Sequence, residues 1–158
     1  MLNVMLGIRK ACASDWEGIR RLLDQLEYPG TERFLEERIG RLICHPDELL
    51  LVYEGSDLTG DEGRPAEGEE KILGVLSLHF IPQLAVEGDF ARISYFAVDG
   101  AARSKGIGKE MEEYATRLAR ERGCELMEVH CHTRRVRAHA FYARQRFVES
   151  PKYLIKRL

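Results

Sequence analysis

Apolar residues recur along the chain with two different periods. Trp16, Ile19, Leu22, Leu23 and Leu26 stand three and four apart, which predicts a helix over Asp15–Glu27. Ser14 and Glu17 make a capping-box pattern at its start, and Pro29-Gly30 stops it. Phe34, Leu35, Ile39, Leu42 and Ile43 repeat the period, predicting a second helix over Thr31–Cys44 with Thr31 as its cap and His45-Pro46 as its end. Leu49–Tyr53 is an unbroken apolar run expected as a buried strand. Ile72–Phe80 and Phe90–Val98 predict two more strands, the second dense in β-branched and aromatic side chains. Leu6–Lys10 reads as an edge strand.

The second half alternates strand and helix. A glycine-bearing turn follows Val98, then a helix over about Gly108–Arg122 that Gly123 ends. A strand over Leu126–Cys131, a helix over about Arg135–Arg144 and a strand-like Tyr153–Lys156 complete the chain. A strand–helix–strand succession requires parallel pairing somewhere, with helices over the sheet. The expected fold class is therefore α/β or α+β with a mixed sheet, in one domain over residues 1–158.

Residues 54–70 are different in kind. They hold seven acidic residues, one basic residue, four glycines and one proline, and read as a solvated acidic hairpin loop. Overall, 24 Lys+Arg stand against 26 Asp+Glu, with 44% hydrophobic residues, the balance of a soluble globular protein. No apolar run approaches the roughly 20 residues of a membrane span, and no basic segment precedes a signal-like core. A net charge of −2 points away from nucleic acid. Cys12, Cys44, Cys124 and Cys131 form no CxxC pair and read as reduced thiols. These features together describe a cytoplasmic, bacterial-type enzyme or binding module, with no membrane partner.

The chemistry-bearing segment is Arg103-Ser104-Lys105-Gly106-Ile107-Gly108-Lys109, set between a strand and a helix. A helix start offers unpaired amides and about half a positive charge. Glycines at 106 and 108 let an anionic group approach those amides, and Arg103, Lys105 and Lys109 add full charges. The segment reads as a pyrophosphate cradle, or simply as a strand-to-helix turn. It is not a Walker loop, which needs Gly-x-x-x-x-Gly-Lys-Ser/Thr. Nor is it the dinucleotide fingerprint, whose third glycine is replaced by Met111.

Arg103-x-x-Gly106-x-Gly108, preceded by Ile93-Ser94-Tyr95-Phe96-Ala97-Val98, resembles the pyrophosphate loop of the GNAT N-acetyltransferase superfamily. Arg135-Val136-Arg137-Ala138-His139-Ala140-Phe141-Tyr142 resembles that family's second segment, and the order of predicted elements is similar too. The resemblance implies a mixed, mostly antiparallel twisted sheet flanked by four helices. It implies acetyl-CoA as co-substrate, with its pyrophosphate on Arg103, Ser104, Lys105, Gly106, Ile107, Gly108 and Lys109. The pantetheine arm would lie along Phe96, Ala97 and Val98, where a backbone N–H stabilises the developing oxyanion. Arg135 stands where relatives carry a cofactor-contacting Asn and would meet phosphate or face solvent.

Tyr142 occupies the position of the family's general acid, and its phenol is a feasible proton donor to a thiolate. Read from the residues alone, it is first a packed helix aromatic with a satisfied hydroxyl. The strand before the loop lacks the carboxylate that many relatives carry. Asp89, Glu87, His79 or a water chain are then left as routes for the amine proton. His130 and His132 share a strand face, but no third ligand follows at useful spacing, so no metal is expected. Arg146 replaces the family's usual glycine before the final Phe. If that position is left-handed, Arg costs about 1 kcal/mol there.

The resemblance places the acceptor between the first two helices and the Ile81–Asp89 loop. The implied activity is N-acetylation of a primary amine of a small molecule, similar to an aminoglycoside, polyamine or amino acid. Protein or peptide acetylation, and a non-catalytic acyl-CoA-binding module, are the alternatives. Paired sheets in relatives imply a homodimer.

Overall fold

The computed structural model describes residues 7–55, 71–150, 152 and 154–158. In chain order the elements are β1 (Ile8–Lys10), α1 (Trp16–Gln25), α2 (Leu35–Ile43), β2 (Glu48–Gly55), β3 (Lys71–Ile81), β4 (Phe90–Val98), α3 (Ile107–Glu121), β5 (Leu126–Val129) and α4 (Val136–Arg144). Short 3-10 turns at Ala13–Asp15 and Gly100–Ala102 precede α1 and follow β4. The strands form one sheet in the order β1-β2-β3-β4-β5. The first four are antiparallel, and β5 joins β4 in parallel. This is the mixed, mostly antiparallel sheet with four helices that the sequence leads one to expect.

Both faces of the sheet are apolar, which strand alternation explains. In β2, Leu50 and Val52 face α1 and α2, where they join Ile19, Leu22, Ile39 and Val75. Leu51 points the other way, onto Leu76, Ile93, Met111 and Ala115 under α3. A Cβ on Gly74 would lie 2.6 Å from Met111 Sδ, so the bare backbone there lets α3 close onto β3.

One irregularity shapes the site. The β3–β4 register shifts between Ser77 and Leu78, with Ser77 opposite Tyr95 and Leu78 opposite Ile93. Ser94 is therefore an extra residue, a bulge in β4. It restores parity: Ala91 and Ile93 before it, and Phe96 and Val98 after it, all pack on the α3 side.

Several local expectations are corrected. The cap before α1 is built by Asp15, whose Oδ2 accepts from the Cys12 amide at 2.8 Å, rather than by Ser14 and Glu17. The Arg9 guanidinium forks onto Asp15 at 2.8 and 2.9 Å and explains the choice, because it fixes that carboxylate in place. Leu35 N–H donates to the Thr31 carbonyl at 2.9 Å, while the Thr31 hydroxyl has no hydrogen-bond partner among the described residues. Glu54 belongs to β2 and pairs with Arg9 at 2.9 Å instead of opening a loop. The rest of the acidic 54–70 segment, from 56 on, lies outside the described residues. Residues 154–158 carry no strand, and Tyr153 lies outside the described residues. β5 ends at Val129, so His130 and His132 do not share a strand face.

Candidate active site

The parallel pairing of β4 with β5 runs only from Phe90 opposite Leu126 to Ile93 opposite Val129. Past the bulge, the β4 edge from Ser94 to Val98 has no strand beside it on that side among the described residues. A cleft of about 1250 Å³ opens there, floored by Phe96, Ala97 and Val98 and walled by the start of α3 and by α4. An unpaired strand edge is a row of donors and acceptors ready for an extended guest.

The turn after β4 is anchored from below. Asp99, 4% exposed, is paired with Arg21 of α1, lies 3.8 Å from Lys71 Nζ, and accepts from the Ala101 amide at 3.0 Å. Gln25 Oε1 accepts from the Gly100 amide at 2.8 Å. Burial opposes ionisation of Asp99. The Ala101 amide, Arg21 and Lys71 nevertheless hold its carboxyl below the usual range.

Above that base the chain curls. Ser104 and Gly106 both have left-handed backbones, with φ of +66° and +86°. Alternating left-handed residues make the concave turn in which amides gather round an anion. The first α3 ladder bond runs from Glu110 N–H to Gly106 C=O at 3.0 Å. The amides of Ile107, Gly108 and Lys109 therefore precede the ladder, as at any helix start. A Cβ on Gly106 would meet nothing within 4 Å, so the space over it is open, while one on Gly108 would touch the Phe141 ring at 3.4 Å. Gly106 is thus the residue that keeps the cradle clear, and Gly108 also serves the docking of α4.

Of the residues expected to hold the co-substrate, all but Lys105 line the cleft. Lys109 is 3.7 Å from Glu113 Oε1. Arg135 reaches the other way: its Nη2 donates to Leu26 O at 2.8 Å and lies 3.4 Å from Glu27 Oε2. Its guanidinium joins α4 to the end of α1, a role that sequence spacing does not reveal.

Tyr142 lines the same cleft, edge-on to Phe141 and Phe147 with ring centroids 5.3 Å away in each case. Burial, the Cys131 sulfur and Glu112 push its phenol well above the usual value against a smaller opposing effect of Arg135, so it stays protonated. Tyr142 is thus a packed aromatic whose phenol, held protonated, lies at the cleft. His79 is paired with Glu48, and Asp89 sits 3.8 Å from Arg122. Neither lines the cleft, nor does Glu87. Ile81–Asp89 lies at the opposite end of β3 and β4 from the glycine turn. Among the described residues, no group of three or more His, Cys, Asp or Glu is placed to hold a metal.

Sequence reasoning missed Glu112, Thr116 and Arg120, which line the cleft from α3. Their i, i+4, i+8 spacing was the available signal. Glu112 is 5% exposed and accepts from Thr116 Oγ1 at 2.7 Å. No helix among the described residues is long and apolar enough to cross a membrane.

Comparison with known proteins agrees with this architecture. The chain resembles a GNAT family acetyltransferase from Staphylococcus aureus subsp. aureus USA300_TCH1516, with TM-score 0.73 and 21% identity over 96% of this chain and 97% of that one. A transcriptional regulator from Bacillus halodurans C-125 superposes with TM-score 0.76 at 25% identity, over 96% and 98%. An aminoglycoside acetyltransferase from an uncultured soil metagenomic sample, solved with trehalose, gives 0.72 at 21% identity, over 100% and 99%. No curated protein sequence matches significantly. Residues 22–147 match the family model described as the Acetyltransferase (GNAT) family. The glycine turn, the parted strand edge and the helix bearing Tyr142 all lie within that match, and the chain belongs to the GNAT acetyltransferase family.

Proposed function

We propose that this acyltransferase moves the acetyl group of acetyl-CoA directly to the primary amine of a small molecule. The observation that carries the reading is the parting of β4 from β5 after the Ile93–Val129 pair, directly beside the curled Gly106 turn. When bound, acetyl-CoA supplies an activated thioester. The chain's own residues supply placement, charge and a proton.

The amides of Ile107, Gly108 and Lys109, with Ser104 and the Arg103 side chain, hold the pyrophosphate by charge-assisted hydrogen bonds at a helix start. The main chain of Phe96, Ala97 and Val98 offers its unpaired edge to the pantetheine arm, and one of its N–H groups steadies the developing oxyanion. A preorganised donor of this kind contributes about 3 kcal/mol. Tyr142 Oη holds the proton that the leaving sulfur requires. The open cleft leaves the amine to lose its proton to bulk water, consistent with the absence of a strand carboxylate. Lys105 contributes only through its field, and Arg135 through its hold on α1.

Release of free thiol from acetyl-CoA, followed across a panel of aminoglycosides, polyamines, amino acids and short peptides, tests the reading. Turnover with a small amine supports it. Turnover restricted to peptides, or coenzyme A binding with no turnover at all, contradicts it.

A further inference from the structure

Two exposed aromatic rings meet beside the parted edge of β4. Tyr95 lies on that edge and Tyr28 just past the end of α1. The rings stand edge to face, with centroids 5.3 Å apart and an interplanar angle of 80°. Tyr28 is 45% and Tyr95 41% exposed, whereas Phe96, Phe141, Tyr142 and Phe147 of the other ring pairs are half-buried. A large apolar body gains most when it is removed from water, so a pair of rings left in solvent marks a surface that a ligand covers.

The fold places this pair within reach of the chemistry. Phe96 and Val98 pack on the α3 side, so Tyr95 and Ala97 face α1 and α2. Past the Ile93–Val129 pair no strand lies beside β4 among the described residues, and the two faces of the sheet communicate there. A small molecule resting on the Tyr95 ring can present an amine to a thioester on the Phe96–Val98 edge without crossing the coenzyme. Tyr28 is held by the end of α1. Its amide donates to Leu23 O at 2.9 Å and the Glu27 amide to Asp24 O at 3.1 Å, the two bonds of a Schellman turn. Glu27 takes the left-handed place in that turn, with φ of +70°, where glycine is usual. Its carboxylate lines the cleft and meets Arg134 at 2.8 Å and Arg135 at 3.4 Å. One carboxylate shared by two guanidiniums suits a single ammonium and not a polycation. Farther along the Tyr95 face the charges are also matched, Glu48 by His79 and Arg92 by Glu128 at 2.6 Å.

We infer that Tyr28 and Tyr95 form the wall that holds the acceptor, and that the acceptor is a monoamine on a flat, apolar body rather than a polycation. This rests on the acetyl-transfer reading above and names the substrate class of that same site. Rings at 80° make a corner in which a flat body stacks on one face and meets the edge of the other, the two arrangements that aromatic groups favour. In the transfer the C–N bond forms as the C–S bond breaks. The amine's proton leaves to water and the proton of Tyr142 goes to the sulfur. The tyrosines of the wall touch the body of the acceptor and not the reacting atoms, so they set the KM for the amine and the choice among amines.

Initial rates of thiol release from acetyl-CoA, measured at one pH with 2-phenylethylamine, n-butylamine, spermidine and kanamycin, test the assignment. For the wild type, kcat/KM for 2-phenylethylamine should exceed that for spermidine or kanamycin by about tenfold. Tyr28→Ala and Tyr95→Ala should each lower kcat/KM for 2-phenylethylamine by about tenfold, through KM, and that for n-butylamine by less than about threefold. Tyr28→Phe and Tyr95→Phe keep the rings and should stay within about twofold of wild type. The KM for acetyl-CoA should be the same in all four variants, which separates loss of the wall from loss of the fold. Equal or better use of spermidine or kanamycin by the wild type overturns the substrate class and leaves acetyl transfer standing. Alanine variants that lower both monoamines alike, or that raise the KM for acetyl-CoA, overturn the assignment to these rings. Coenzyme A binding without turnover of any of the four amines overturns the acetyl-transfer reading and this wall with it.

Discussion

Arg135 donates from Nη2 to the carbonyl oxygen of Leu26 at 2.8 Å, across 109 positions of chain. The contact ties the start of α4 to the end of α1 on either side of the cleft. A carbonyl at a helix end lacks an intrahelical partner, and a guanidinium is a suitable cap for it. Replacing Arg135 by Ala should lower stability by about 1 kcal/mol, a drop of about 3 °C in melting temperature for a domain of this size. The KM for acetyl-CoA should rise as the walls loosen. Calorimetry and initial rates check both, and an unchanged KM would show that the latch does not shape the cleft.

Acid should unfold the protein through a few identifiable carboxylates. Asp99 is held below the usual carboxylate range despite its burial. Burial likewise opposes ionisation of Asp15, but hydrogen bonds from Arg9 and the Cys12 amide lower it. Arg9 lowers Glu54 against a smaller effect of burial. A depressed native pKa contributes stability that is complete above the unfolded value near 4 and is lost as pH falls through the native one. Stability should therefore be level above about pH 5 and fall steeply below about pH 4. Asp99→Ala should cost about 2 kcal/mol at pH 7, with Arg21's partial exposure moderating the loss, and should flatten that fall. Denaturant midpoints measured from pH 3 to 7 give the comparison.

Much of the fold was legible because it follows from local chemistry. Phe90–Val98 is read from its β-branched and aromatic density, and Gly123 marks the end of α3 within two residues. Gly106 and Gly108 locate the turn that opens α3. What escaped depends on the rest of the molecule. The Ser94 bulge has no residue preference that announces it, because it arises from pairing with β3 and from the need to keep Phe96 and Val98 on the α3 side. His130 and His132 satisfied strand periodicity, yet β5 stops at Val129. Arg135 was expected to meet phosphate or face solvent, and its bond to Leu26, remote in sequence, could not be foreseen from spacing.

Arg146 illustrates a single residue whose backbone was anticipated. Its φ of +68° is the left-handed conformation that a glycine fills without strain. Arg146→Gly should stabilise the fold by about 1 kcal/mol, or about 3 °C in melting temperature. A fall on thermal scanning would show that the Arg side chain contributes more through packing than its backbone costs.

Tyr142→Phe conserves volume, so the edge-on contacts with Phe141 and Phe147 should persist and affinity for coenzyme A should stay within about twofold. Turnover should fall by about a hundredfold, the ordinary worth of a positioned proton donor. Because burial raises the phenol's pKa, its acid form persists at alkaline pH. Plots of kcat against pH should rise with deprotonation of the amine and show no descending limb below about pH 10 from this group. Undiminished turnover in the variant would remove Tyr142 from the proton inventory.

The account stands on coenzyme A seating against the Gly106 turn, and calorimetric titration of wild type against Gly106→Glu tests that most directly. The space over Gly106 is open, so the glutamate places bulk and negative charge in the cradle without a steric clash, at a backbone cost of about 1 kcal/mol for a side chain at φ +86°. Saturable binding by the wild type, lost in the folded variant, is the predicted result. No binding heat from the wild type, or equal affinity in the two proteins, would contradict it.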